Sequence, residues 1–313
     1  MTGEAALNKT GTRRGRVIVG GLMVLALLVA LVASFLPARR TSVSDAPHEL
    51  IAPARVRQPA VAGQFYPADP DELARAVDGY LEPVPIAPIA GLRALVAPHA
   101  GYRFSGPTAA FAYQQLRGRK PGTVYVLAPS HHAAFAGVSI PDVDAYRTPL
   151  GLCRLSAKAV ELRKLSPFTS VPAAHASEHS LEVQLPFLQR VVGEFELVPL
   201  VFGKVDPRAV AEALVDRLEP TSIVIASSDL SHYYPDATAR KLDRATVAAI
   251  EQLDIDGIAH GEACGKLPIL TVVHIARQLG WKAKVLDYRN SGDTAGSKDR
   301  VVGYAAIAFY ESS

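Results

Sequence analysis

"LRALVAPHAGYRFSGPTAAFAYQQLRGRKPGTVYVLAPSHH", residues 92–132, contains the unit that the rest of the chain repeats. An apolar run at 92–97 ends in Ala-Pro and a histidine, a helical pattern fills 106–117, and a second apolar run at 123–128 ends in Ala-Pro, Ser and two histidines. Strands apolar on both faces and separated by helices belong to a sheet that is buried on both sides. Further strand-like runs lie at 196–202, 222–227, 284–288 and 304–310, with helical patterns at 180–192, 207–218, 237–253 and 266–279. Upstream, "ADPDELARAVDGYL" carries helix-entry chemistry, with Asp69 as N-cap, Pro70 at the first helical position and Glu72 placed for a capping box, so a helix over 70–81 follows. The pattern predicts an α/β fold with a mixed, largely parallel sheet flanked by helices.

The chain has 313 residues, 49% hydrophobic and 20% charged, enough to bury a core without disulfides or a structural metal. A net charge of +3, with no dense basic run interleaved with aromatics in the body, gives no nucleic-acid partner. Cys153 and Cys264 are far apart and form no C-x-x-C pair, which argues against a disulfide framework and a zinc ribbon.

Residues 17–36, "VIVGGLMVLALLVALVASFL", form an uncharged apolar run long enough to cross a bilayer as a helix. Lys9, Arg13, Arg14 and Arg16 precede it, so the charge rule puts the N-terminus in the cytoplasm, although Arg39, Arg40, Arg55 and Arg57 follow. The expectation is a cell-membrane protein with a single-pass N-terminal anchor and an extracytoplasmic main domain. A cleaved signal peptide is the alternative, and "TRRGR" at 12–16 offers a twin-arginine reading. The expected organisation is a basic segment at 1–16, a transmembrane helix at 17–36, a linker at 37–56 and a globular domain at 57–313.

In open α/β sheets, functional residues gather at the carboxyl ends of strands. Here the run 92–97 is followed by His99, 123–128 by His131 and His132, and 222–227 by "SDLSHYY" with Asp229 and His232. Imidazoles, carboxylates and thiolates are the usual donors to a transition metal, so His99, His131, His232, Asp229 and Cys264 form a candidate site. Each histidine taken alone is better explained as a core or surface imidazole satisfied by a backbone partner, and the agreement of three strand ends weakens that reading for the set. In "ASEHSLEVQLPFL", Ser177 reads as an N-cap that sets Glu178 and His179 in the first helical turn, either as an acid/base or supporting pair facing a metal or as a dipole complement beside a solvated imidazole. Cys264 precedes a helical run, where a thiolate is favoured, although a lone cysteine is more often a small buried packing residue; Cys153 reads as packing. His48, His175, His260 and His274 have no supporting neighbours.

"VAGQFYP", "APHAGYRFSGPTAAFAY", "LAPSHH", "YRTPLG", "EHSLEVQLPFL", "SSDLSHY", "CGKLPI" and "DRVVGYAAIAFY", in that order from about residue 57 onward, resemble the Memo family, including the microbial AmmeMemoRadiSam system protein B. The resemblance implies a fold similar to class III extradiol dioxygenases with a non-haem metal pocket. It implies His99, His131 and Cys264 as ligands of an iron or copper ion, with His179, Asp229 and His232 as catalytic residues lining the same pocket. Where the dioxygenases carry a glutamate as third ligand, this sequence has Cys264. Two functions follow from it: metal-dependent redox chemistry on a small molecule, or non-catalytic binding of a metal or a peptide. Radical-SAM and AMMECR-type proteins are the partners it implies.

Overall fold

The apolar runs become strands because they alternate two cores, one on each face of a sheet. The computed structural model describes residues 55–312, which belong to one compact unit, Ala52–Ser313. The expected segments 1–16 and 17–36, and the linker up to residue 54, lie outside the described residues.

In chain order the strands are β1 (Val56–Arg57), β2 (Leu92–Ala97), β3 (Thr123–Pro129), β4 (Val138–Ser139), β5 (Ala145–Thr148), β6 (Gly151–Arg154), β7 (Phe168–Thr169), β8 (Glu196–Phe202), β9 (Ile223–Ser227), β10 (His232–Tyr234), β11 (Trp281–Asn290) and β12 (Val301–Glu311). The helices are α1 (Pro70–Leu81), α2 (Tyr102–Gln114), α3 (Ala157–Leu162), α4 (Ala173–Ala176), α5 (Leu185–Val192), α6 (Pro207–Val215), α7 (Asp236–Glu251), α8 (Ile255–His260), α9 (Lys266–Leu279) and α10 (Ser291–Thr294).

Among the described residues nine strands form one mixed sheet, ordered β10-β12-β2-β9-β3-β8-β4-β7 with β11 on the far side of β12, and β1-β5-β6 form a small second sheet. The centre, β2-β9-β3-β8, is parallel, while β12 runs antiparallel to β2 and β4 antiparallel to β8. Leu95, Ala97, Val124, Val126 and Ile225 face one core, where Leu73, Val77 and Leu81 of α1 and Ala109 and Tyr113 of α2 cover them. Their neighbours Ala94, Val96, Tyr125, Leu127 and Val224 face the other, under Val210 and Leu214 of α6 and Ile269, Val272 and Val273 of α9. Each fully buried Leu or Val contributes about 1.5–3 kcal/mol, so truncating one such as Leu95, which has no exposed surface, costs about 2–5 kcal/mol.

Several boundaries fall as the sequence indicates. α1 spans 70–81 with the Asp69 side chain accepting from the Glu72 amide, and β2 and β8 match residue for residue. Cys153 is buried packing. One expectation is corrected: Ser177 is not an N-cap but closes the short α4, so Glu178 and His179 sit in a loop ahead of a 3-10 turn at Glu182–Gln184. Among the described residues no helix is long and apolar enough to cross a membrane.

Candidate metal centre

The order β2-β9-β3 makes three parallel strands neighbours, so their carboxyl ends, with the residues that follow them, open at one place. His99 follows β2, Asp229 follows β9 and His131 follows β3, and the loop bearing Glu178 and His179 meets them there. His99, His131 and His179 each offer a ring nitrogen, and these atoms lie within 4.8 Å of one another. The rings pack closely, with centroids 5.2 Å apart for His99 and His131 and 4.7 Å for His131 and His179.

Hydrogen bonding fixes which nitrogen of two of these rings carries the proton. The Ser227 hydroxyl donates to the Ser180 carbonyl at 2.6 Å and accepts from the Gln184 amide at 2.7 Å. Its only proton is used, so the His99 Nδ1, 2.8 Å away, must donate to it, which leaves Nε2 as a lone pair. The Glu178 carboxylate is buried and accepts from the amides of His131, His179 and Ser180 as well as from His131 Nδ1 at 2.9 Å. Burial alone would raise the Glu178 carboxyl, but the bonds from His131 and these amides outweigh it and hold it well below the usual carboxylate range. An ionised Glu178 can only accept, so Nδ1 of His131 carries a proton. A carboxylate or hydroxyl behind the imidazole is the arrangement that orients metal-binding histidines.

The His99 and His179 rings also stay neutral. Burial and the neighbouring His131 and His179 push His99 well below the ordinary imidazole value, and burial holds His179 near about 4. Neutral imidazoles are the form that binds a cation.

Cys264 lies on the other side of His99, its Sγ 3.1 Å from the His99 Nε2. Two donors of one ion, with metal–nitrogen and metal–sulfur bonds of about 2.0 and 2.3 Å, stand roughly 3–3.5 Å apart, so this pair fits a shared metal. The thiol is pushed above its usual range by burial and by Asp229, which outweigh the helix-entry position that favours the thiolate; an ion would displace its proton. Gly265 permits the approach, since a Cβ there would collide with the Ser227 carbonyl oxygen and the Ser228 side chain. Asp229 braces both sides: its carboxylate accepts from the His99 amide at 2.8 Å, and its own amide points at the Cys264 sulfur at 3.3 Å. Burial raises Asp229 to about 6 despite the His99 amide and nearby His232.

His232 donates through Nδ1 to the Leu230 carbonyl at 2.8 Å, and its neighbour Tyr233 has φ of 65°, a left-handed conformation rare for a bulky residue. Of the residues singled out in the sequence, His99, His131 and His179 share the three-nitrogen group, Cys264 touches His99 but stands outside that group, and Asp229, with His232 nearby, bonds to the His99 amide. Glu178 acts on His131 as a supporting carboxylate.

The residues missed from the sequence are those behind the donors. Ser227 and Gln184 set the His99 tautomer. Glu182, fully buried, accepts from the amides of Ala60 and Val61 and from Tyr66 and Arg57, and Arg57 also donates to the carbonyls of His175 and Glu178. The signal was present in "SLEVQLPFL", where Glu182 and Gln184 interrupt an apolar run at every second position.

A family model described as Memo-like protein matches residues 57–308. A MEMO1 family protein of Methanopyrus kandleri is 40% identical over 279 residues, covering 81% of this chain and 98% of its own length. One from Pyrobaculum aerophilum is 39% identical over 82% of this chain and 99% of its own, and one from Sulfolobus acidocaldarius 38% identical over 81% and 99%. The expected cell-membrane location with a single-pass anchor is corrected: no described helix can cross a membrane, and these relatives are named plainly as MEMO1 family proteins with no anchor in the name. The apolar run at 17–36 that prompted it lies outside the described residues. With the match spanning nearly all of the described unit, the chain belongs to the Memo family.

Proposed function

We propose that this protein binds an iron or copper ion at the strand-end cluster and uses it in redox chemistry on a small molecule, as the resemblance to extradiol dioxygenases implies. The observation that carries the reading is the set of three imidazole nitrogens within 4.8 Å, two of them in rings whose outer nitrogen is held by a partner. His99 and His131 are the first two ligands in this reading. Cys264 is the third, with His179 the competing donor from the same cluster. A soft sulfur beside imidazoles suits iron or copper better than a hard cation. Bound there, the ion supplies electron transfer and Lewis acidity.

The remaining groups are this chain's own acid/base equipment. Asp229, its carboxyl raised by burial, is the candidate proton carrier. His232 is anchored beside it through Nδ1, which donates to the Leu230 carbonyl. His179, pressed against the Phe65 ring at 4.8 Å, either binds the ion or takes a proton beside it.

The test begins with metal analysis of the full chain purified without affinity histidines, followed by reconstitution with iron and with copper. Stoichiometric binding that is lost in His99→Ala supports the site, and its persistence there overturns it. Oxygen uptake or hydrogen peroxide production by the loaded protein then separates catalysis from the second reading, a metal- or peptide-binding protein without turnover.

A further inference from the structure

Cys264 has a second neighbourhood besides His99. It lines a cavity of about 350 Å³ whose other walls include Pro129, Phe135, Phe202, Leu267 and Lys204. Volumes of this size and larger hold small-molecule ligands, and such sites combine apolar walls with few polar groups. Lys204 is the single charged residue in the wall, and among the described residues no carboxylate lies within salt-bridge reach of its ammonium.

The walls are held in place before any ligand arrives. The Lys204 amide donates to the Phe135 carbonyl at 2.7 Å, and the Lys204 carbonyl accepts from the Gly137 amide at 2.9 Å, so the loop after β3 is tied to the end of β8. Gly203 lets Phe135 approach closely, because a Cβ there would run into both the ring and the Phe135 carbonyl. The cavity is thus an apolar slot open to solvent, with the exposed Lys204 as its one cation and a thiol that touches His99.

We infer that this cavity binds a small apolar molecule bearing one carboxylate, with the carboxylate on the Lys204 ammonium and the apolar body between Phe135, Phe202 and Leu267. A single ammonium matches a monoanion, whereas a phosphate is ordinarily gripped by several donors or a bidentate arginine. The assignment of this molecule as the substrate rests on the metal site proposed above, since Cys264 is the residue that the cavity and the cluster share.

The experiment uses the full chain and 3-phenylpropanoate as probe, with 3-phenylpropanamide as its uncharged counterpart, followed by ligand-observed NMR titration. The carboxylate should bind saturably, and about fivefold more tightly than the amide, the advantage expected of one partly exposed ion pair. Lys204→Ala should erase that advantage and leave the amide unchanged. Ala134→Trp, at an exposed lining position where added bulk costs the fold little, should weaken both probes more than tenfold. Equal binding of the two probes to the native chain, or binding untouched by Ala134→Trp, overturns the inference. Metal content is measured on the same samples. A metal-loaded protein that ignores both probes rejects the cavity assignment alone, while probe binding by a chain that takes up no metal rejects the metal reading and keeps the cavity.

Discussion

Two groups of histidine in this protein look alike in sequence and differ in what their nitrogens do. His175 is buried, with Nε2 2.9 Å from the Ser139 hydroxyl and Nδ1 2.8 Å from the Tyr146 hydroxyl, so both ring nitrogens are consumed within the fold. Its backbone carbonyl is held by Arg57, and the whole cluster ties β1 and β5 to the loop carrying Glu178. At the strand ends, His131 has one nitrogen on Glu178, and its ring offers a nitrogen within 4.8 Å of nitrogens of His99 and His179. A buried histidine with two internal partners is structural; one with a single partner and an inward lone pair is available to a ligand.

This contrast is broken or sharpened most strongly at Glu182, which belongs to the structural side. Glu182→Ala leaves Arg57 buried without its carboxylate and strands two amides, and should destabilise the fold by about 3–5 kcal/mol in chemical denaturation. The molecules that remain folded should bind metal with native stoichiometry; a lost metal site with unchanged stability would reverse the roles of the two regions.

A slightly smaller effect is expected from pH. Burial, reinforced by the Arg57 charge, lowers His175 from 6.5 to about 4. Between those values the unfolded chain takes up a proton that the folded chain refuses, so this group's penalty is absent above pH 6.5 and grows as pH falls to about 4. One pKa unit is about 1.4 kcal/mol, which makes the total about 3 kcal/mol. His175→Phe should flatten the stability profile over that window by this amount, and an identical slope in the variant would show that His175 titrates normally.

Next in size, His131→Ala should weaken metal binding about a hundredfold while costing the metal-free fold less than about 1 kcal/mol, because its ring is partly open to solvent. Calorimetric titration alongside denaturation measures both. The smallest contrast is between the cysteines: Cys264→Ser should weaken iron or copper binding by about tenfold, and Cys153→Ser not at all, since Cys153 is packed among apolar side chains. Equal affinity in the two serine variants would hand the third position to His179.

Much of this was legible in the sequence because it follows from periodicity. Strands buried on both sides must be continuous apolar runs, and a run that ends in Ala-Pro-His announces where its histidine will stand. The short strands β4, β5, β6 and β7 escaped because two to four residues carry no period to read. The helix start at Ser177 failed for a different reason: Glu178 uses its carboxylate to collect amides from its own loop and from His131, and those bonds hold the segment out of a helix. Tautomers were out of reach for the same kind of cause. They depend on Ser227 and Gln184, residues about 40 positions apart that meet only once β9 lies beside β2.

Gly265 gives the cluster an adjustable gauge. Its missing side chain sets how far the first turn of α9 stands from the end of β9, and through that the gap between the Cys264 sulfur and the His99 nitrogen. Alanine there would act as a one-carbon shim, backing the thiol away from the imidazole while every donor atom keeps its chemical identity. In the proposed site, donor spacing and ligand type, which ordinary ligand swaps change together, would become separable at a single position outside the donor set.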